Sequence, residues 1–250
     1  LLLVVFGLPE TLFSSERILK YKSTIEVEVD GTLRVTEEIT VFSKGHQIRQ
    51  GIFRTFPTKY KDRAGNHVKV DFQIKEVLRD GLPEPYHIKH KSNGVAIYMG
   101  KKDVFLQPGN YTYTLKYATN RQIGFFENYD ELYFNAIGSG WSFAIDNIEV
   151  TIILPERANI IQHTAYAGSY GTRNNDYTVI KKENVPGVIL TLDIGEVQIE
   201  LETDQQNSNV IQYKNMNTFS AYEGLTIALA WQKGIVIEPL QIEKTSYFLR

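Results

Sequence analysis

The fold is decided by residues 17–43, whose sequence is RILKYKSTIEVEVDGTLRVTEEITVFS. Apolar residues occupy alternate positions from Ile25 to Val29, and the alternation continues in the same phase from Leu33 to Val41. Such a period of two places one face of an extended strand against a core. The Asp30-Gly31 step between the runs is a strong hairpin signal, because tight hairpin turns need positive φ angles. Residues 17–43 are therefore predicted to form a β-hairpin.

The rest of the chain repeats short alternating runs separated by turn residues such as Asn93-Gly94. Strand signals at intervals of about 8–12 residues are typical of sandwiches and barrels. We predict an all-β protein of antiparallel β-sandwich architecture, built from two consecutive sandwich-like units, residues 17–140 and 141–235. The glycine-rich break at Gly138–Trp141 marks the boundary between them. A single elongated sandwich is the alternative.

The overall composition excludes several classes of protein. The 250 residues contain no cysteine, which rules out disulfides, thiolate zinc sites and cysteine nucleophiles. With 27 basic and 29 acidic residues the net charge is −2, so the molecule has no general nucleic-acid signature. His87 and His90 lie three residues apart and would point to opposite faces of a strand. No metal site and no cofactor are predicted.

The amino terminus begins with the apolar run LLLVVFGL, residues 1–8, which is too short to span a bilayer. It has the character of the end of a signal-peptide core. Residues 1–15 are therefore interpreted as a signal-peptide remnant or leader. A buried first strand is the alternative.

A basic stretch, residues 44–63, interrupts the strand pattern with six Lys or Arg residues against one acid, Asp62. Aromatic residues lie between the charges, which argues against disorder. We interpret the stretch as a long functional loop. Its candidate binding residues are Arg49, Phe53, Arg54, Phe56, Lys59 and Tyr60.

Two roles remain open for these residues. Arg49 or Arg54 could form an internal ion pair with an acid of the cluster Glu127, Asp130 and Glu131. Alternatively, the stretch forms a surface for anionic lipid headgroups, an acidic envelope polymer or a partner protein.

An enzymatic role has one candidate pair. Two carboxylates can act as acid and base in glycoside hydrolysis when they face each other about 5–10 Å apart. Glu127 and Glu131 could converge across a tight turn, whereas Asp130 and Glu131 point to opposite faces of a strand. A cell-envelope glycan hydrolase is thus the alternative function, and a non-enzymatic binding or scaffolding role is the main expectation.

Several longer motifs then occur in order along the chain. They are RQGIFRTFP at 49–57, DVFLQPGNYTY at 103–113, GFFE at 124–127, DELYFN at 130–135 and GWSFAI at 140–145. In this order and spacing they resemble the extracytoplasmic domain of the YciQ-like family of predicted bacterial membrane proteins, domain of unknown function 2207. The resemblance extends from Glu16 to the AWQKG segment that ends at Gly234.

The resemblance implies a topology rather than a reaction. It implies a signal peptide, a domain on the periplasmic or outer face of the membrane, and transmembrane helices beyond Arg250, with 236–250 as a juxtamembrane segment. It implies no catalytic residue, and the partner would be an envelope component or a membrane protein. The chain departs from the family pattern at Phe134, at Ala144 and in an apparent insertion at 181–215, which leaves the strand number of the second unit open.

Overall fold

The computed structural model describes residues 15–61, 67–169, 177–182, 190–191 and 209–240. In these residues the chain is all-β, which confirms the predicted fold class. Its strands are β1 (Arg17–Val27), β2 (Leu33–Ser43), β3 (Ile52–Pro57), β4 (Lys59–Lys61), β5 (His67–Lys69), β6 (Phe72–Arg79), β7 (Leu82–Pro83), β8 (Tyr86–Lys91), β9 (Gly94–Met99), β10 (Gly109–Thr119), β11 (Ile123–Phe125), β12 (Tyr129–Ile137), β13 (Ile145–Ile153), β14 (Ile160–Ser169), β15 (Tyr177–Lys182), β16 (Leu190–Thr191), β17 (Val210–Asn215) and β18 (Glu223–Gln232).

The largest sheet contains nine described strands in the order β16-β15-β17-β13-β1-β2-β10-β6-β7. Its centre is the predicted hairpin of β1 and β2, which pair antiparallel from Val27↔Leu33 outward. The connection is closed by Glu28 and Thr32, and Gly31 within it has a φ angle of 80°. A positive φ angle is accessible to glycine without a steric penalty, which explains the Asp-Gly signal.

Two smaller sheets face this one across a common core. One has the order β11-β12-β18-β14, and the other has the order β3-β9-β8. Their buried side chains belong to one contiguous hydrophobic cluster together with those of the nine-stranded sheet. Phe56 of β3 joins all three sheets, because its ring centroid lies 4.6 Å from Phe72, 5.4 Å from Tyr117 and 6.4 Å from Phe134.

The sheets do not divide at the predicted boundary near residue 140. β1 pairs in parallel with β13, and β12 pairs with β18, so both sheets combine strands from either side of the boundary. Trp141 is 5% exposed and makes an edge-to-face contact with Tyr21 at 5.9 Å. The glycine-rich break therefore packs against a core that strands from both sides of the predicted boundary share.

The basic stretch also differs from the loop that its sequence predicts. Residues 52–57 and 59–61 are the strands β3 and β4, paired with β9 and β5. Ile52, Arg54 and Phe56 are buried, whereas Phe53 and Pro57 are exposed. The alternation was hidden in the sequence because one of the inward positions carries an arginine.

Some predicted features lie outside the described residues. These are the leader up to residue 14, most of the apparent insertion at 181–215 and the juxtamembrane segment from residue 241 onward. Within the described ranges, no helix has the length and apolar character needed to cross a membrane.

The close approach of β3 and β9 predicts that Gly94→Ala destabilises the protein. A Cβ atom at Gly94 would lie 2.1 Å from the carbonyl oxygen of Phe56, which is backbone and cannot rotate away. We expect the free energy of unfolding in urea to fall by about 1–3 kcal/mol, as for other overpacked sites. Gly109→Ala is the control, because nothing lies within 4 Å of its added Cβ. Equal stability of the two variants would contradict this packing.

A candidate binding surface held by a buried ion pair

A buried ion pair lies beneath the basic stretch. The side chains of Arg54 on β3 and Glu37 on β2 are 5% and 0% exposed. Arg54 Nε donates to the two carboxylate oxygens of Glu37 at 3.0 and 3.3 Å, and Nη2 donates to Oε1 at 3.0 Å. The Tyr117 hydroxyl donates to the same Oε1 at 3.0 Å, and Arg54 Nη1 donates to the carbonyl of Thr55. The pair thus binds β3 to the centre of the nine-stranded sheet.

The electrostatics keep Arg54 charged. Burial opposes a charge on Arg54, but its interactions with Glu37, Tyr21 and Tyr117 together outweigh burial and raise the pKa of the guanidinium well above its ordinary value. Burial also raises the pKa of the Tyr117 and Tyr21 phenols well above the ordinary value. Tyr117 therefore remains protonated and able to donate its hydrogen bond to Glu37.

The predicted internal ion pair is present, but its predicted acids were wrong. Arg54 bonds Glu37 instead of Glu127, Asp130 or Glu131. Position 37 belongs to the same inward-facing series as Leu33, Val35, Ile39 and Val41, but it carries an acid instead of an apolar residue. This acid was the signal in the sequence. An acid at an inward position requires a partner, because an unpaired buried charge is strongly destabilising.

The three acids of the cluster separate in the structure. Glu127 is exposed in the turn between β11 and β12, whereas Asp130 is buried and accepts a hydrogen bond from Lys233 Nζ at 2.7 Å. Glu131 faces the opposite side of the strand from Asp130, as the sequence predicts. It lines a shallow groove of about 200 Å³ on the outside of β12, β14 and β18, and Glu127 is not among the described residues that line this groove. The structure therefore does not bring Glu127 and Glu131 together there.

The outer face of the three-stranded sheet carries a ladder of stacked rings. Register places Phe53 of β3 opposite Tyr98 of β9, and Tyr98 opposite His87 of β8. The Phe53 and Tyr98 centroids are 5.3 Å apart at an interplanar angle of 26°, and the Tyr98 and His87 centroids are 4.8 Å apart at 5°. Of the three rings, Phe53 is 45% exposed.

Cationic groups lie beside the ladder on β8 and in the segments before and after β3. Lys89 Nζ lies 4.7 Å from the centroid of Tyr98, and the guanidinium of Arg49 lies 5.0 Å from the centroid of Phe105. Lys59 is exposed at the start of β4. We call Phe53, Tyr98, His87, Lys89, Arg49 and Lys59 the aromatic–basic surface. It can stack on planar or apolar groups and attract anions.

Some of the candidate binding residues do not lie on this surface. Phe56 was a candidate binding residue, but it is 5% exposed and belongs to the core. Arg54 is also internal. The side chain of Tyr60 lies outside the described residues. Tyr98 and His87 were missed, because their contact with Phe53 depends on the register of three strands.

A second side-chain contact, which is only partly buried, shapes the segment that leads to Arg49. The Glu16 carboxylate accepts backbone hydrogen bonds at 2.6–3.1 Å from the N–H groups of Lys44, His46, Gln47 and Ile48. Partial burial opposes its charge, but these four bonds outweigh burial and hold the pKa of Glu16 below its ordinary value. The segment therefore has a defined conformation, although it is not a regular strand.

The family model described as "Predicted membrane protein (DUF2207) N-terminal domain" matches residues 17–231. The chain belongs to this family. A curated relative is the uncharacterized protein YciQ of Escherichia coli strain K12, which is 30% identical over 119 residues. The match covers 48% of this chain and only 19% of YciQ, so the chain spans about a fifth of that relative.

Solved structures show weaker likenesses to the DUF2207 domain. Yeast LTA4 hydrolase is 12% identical with a TM-score of 0.47, over 88% of this chain and 29% of that chain. The M1 zinc metallopeptidase of Deinococcus radiodurans is 11% identical with a TM-score of 0.40, over 85% and 42% of the two chains. At this level of similarity, no activity is carried over to the DUF2207 domain.

The buried pair predicts an asymmetry between single and double substitutions. Arg54→Met strands the Glu37 carboxylate in the core, and we expect the free energy of unfolding to fall by about 3–5 kcal/mol in urea titrations. Adding Glu37→Leu should restore much of this loss, because apolar replacement of a whole buried pair is often neutral. Arg34→Met is the control, because its pair with Glu28 is exposed and should contribute at most about 1 kcal/mol. A double variant as unstable as Arg54→Met would contradict this account.

The lowered pKa of Glu16 predicts a pH dependence in acid. Its contribution to stability is present above the ordinary pKa of 4.5 and is lost as the pH falls through the lower folded value. Glu16→Gln should therefore be less stable than wild type at pH 7, and the difference should shrink towards pH 3. Urea titrations at both pH values measure it, with the exposed Glu156→Gln as the control. A difference independent of pH would exclude a role for the Glu16 charge.

Proposed function

We propose that this DUF2207 domain is an extracytoplasmic binding module of a membrane-anchored bacterial protein, and that its aromatic–basic surface contacts an acidic ligand. The main support is the ladder of Phe53, Tyr98 and His87 with Lys89 packed over the central ring. Exposed aromatic and cationic groups on a rigid sheet are characteristic of recognition sites. The buried Arg54–Glu37 pair fixes the inner face of this sheet to β2.

Local charge supports an acidic ligand. Residues 44–61 and 86–105 contain five and four Lys or Arg residues, against a single acid, Asp103. One of these cations, Arg54, is neutralised internally, and the others leave a strong positive excess on a chain whose net charge is −2. Opposite potentials steer association and select partners. The complementary ligand would carry carboxylate, sulfate or phosphate groups.

The last described segment lies nearer to one end of the aromatic–basic surface than to the other. Ile237 N–H donates to the carbonyl of Val29, so the last described segment lies at the turn between β1 and β2. Arg49 follows the other end of β2, and the 11 residues of that strand span about 35 Å. The family description makes this an N-terminal domain, so the membrane segments would follow it. Lys59 lies at the same end of β2 as this turn, because the neighbouring Thr58 accepts a hydrogen bond from Val70, close to the row of Phe72, Thr119 and Leu33. Attraction to anionic lipid decays within about 10 Å at 0.1 M salt, so a bilayer at that end would act little on Arg49, which leaves the Arg49 end of the surface for another ligand.

A pair of polymers tests this proposal. We expect the chain to bind dextran sulfate in a salt-dependent manner and not to bind uncharged dextran. Lys89→Gln with Lys91→Gln should weaken binding by about tenfold, equivalent to about 1.4 kcal/mol. Biolayer interferometry with immobilised polymer measures both affinities.

The control variant removes two positive charges from a different part of the chain. Lys75→Gln with Lys116→Gln changes two strand lysines on β6 and β10, and it should leave the affinity unchanged. If both double variants bind equally, the aromatic–basic surface is not the binding site. If vesicles containing phosphatidylglycerol bind and dextran sulfate does not, the surface is a membrane contact and the proposal fails.

A further inference from the structure

β8 is an edge strand with unusual exposure. All six of its residues, Tyr86–Lys91, are exposed, and within the described ranges it pairs with β9 alone. One row of its backbone N–H and C=O groups therefore faces away from the sheet. Such an edge is a template for another strand.

The two faces of β8 have different chemistry. His87, Lys89 and Lys91 lie on the side of the aromatic–basic surface, opposite Tyr98, Ala96 and Gly94 of β9. Tyr86 and Ile88 lie on the other side and are 45% and 43% exposed. Neither Lys89 nor Lys91 forms an ion pair with an acid among the described residues. A complementary strand would thus alternate between acidic and apolar side chains.

The edge is held rigidly in place. β9 contributes Ala96, Ile97 and Met99 to the buried set, with exposures of 0%, 0% and 1%. β9 pairs on its other side with β3, which the Arg54–Glu37 pair fastens to β2. An added strand would therefore meet a preorganised edge and would lose little free energy in ordering it.

We infer that β8 binds an extended acidic peptide segment of a partner protein as a fourth strand of the β3-β9-β8 sheet. This inference rests on the proposed function and specifies the ligand of the same surface. Main-chain hydrogen bonds along the edge supply affinity, and alternate side chains supply specificity. Acidic side chains of the partner meet Lys89 and Lys91, while its apolar side chains cover Tyr86 and Ile88.

Two other occupants fit this edge less well. A polysaccharide has no backbone amides to pair with the row of N–H and C=O groups. Self-pairing of β8 in a second copy would place the lysines of one edge against the lysines of the other, and like charges on paired strands are destabilising. An acidic peptide can form hydrogen bonds along the edge of β8 and can also place opposite charges next to its lysines.

The test uses a labelled, acetylated seven-residue peptide of alternating Glu and Val and the full 250-residue chain. Fluorescence anisotropy should show saturable binding. N-methylation of the peptide nitrogens on the side that pairs with β8 should weaken binding at least tenfold, and methylation of the alternate nitrogens should have little effect. A peptide of the same composition with all Glu residues before all Val residues should also bind at least tenfold more weakly.

Variants of the chain complete the test. Lys89→Glu and Ile88→Asn change opposite faces of β8, and each should weaken peptide binding, whereas Lys75→Glu should not. Because both positions are exposed, unchanged thermal melting is expected and confirms folding. If both N-methylated peptides bind as well as the parent peptide, strand addition is wrong.

The two binding tests distinguish failure of the proposed function from failure of this inference. If dextran sulfate binds through Lys89 and the peptide does not bind, this inference is overturned while the proposed function stands. If neither probe binds, both are overturned. A concentration-dependent dimer that Ile88→Asn weakens would assign the edge to a second copy and would also overturn the inference.

Discussion

The contact between Arg54 and Glu37 is the constraint on which the rest of the molecule depends. It joins β3 to the middle of the nine-stranded sheet at a point where solvent hardly reaches either side chain. The guanidinium also lies against the chain after β12, since a Cβ atom at Gly138 would lie 2.8 Å from Arg54 Nη1. One side chain therefore sets the relative position of three segments. Such a pair contributes little net stability over an apolar core, so its value lies in permitting one arrangement of the sheets.

The aromatic–basic surface follows from that arrangement. Because Arg54 and Phe56 point inward on β3, Phe53 and Thr55 must point outward. The register with β9 then places Tyr98 beside Phe53, and the register with β8 adds His87. The aromatic–basic surface is thus the outer face of the sheet whose inner face makes the buried contact. A shift in register by one residue would bury the outward side chains and expose the inward ones.

The sequence predicted the elements of this fold better than their association. Period-two alternation located β1 and β2, because one apolar face is visible in each. It missed β3, where Arg54 occupies an inward position, and no local pattern shows that Glu37 neutralises it from 17 residues away. Asn93-Gly94 identified a hairpin, but the observed loop is Ser92-Asn93, with Gly94 as the first residue of β9. That difference changes which residue of β8 lies opposite Tyr98, so the ladder could not be predicted from the turn.

The placement of charges explains how a chain that is nearly neutral overall can still carry a positively charged surface. Several acids of the nine-stranded sheet and its turns are paired with neighbouring cations, as in Arg34–Glu28, Lys22–Glu38 and Lys116–Glu76. On the inner face of the three-stranded sheet, Arg54 is paired with Glu37. The outward cations Arg49, Lys59 and Lys89 are exposed, and the stacked rings fix where Lys89 can lie. A buried acid thus neutralises a cation that faces the core, and the outward cations give the exposed surface its positive charge.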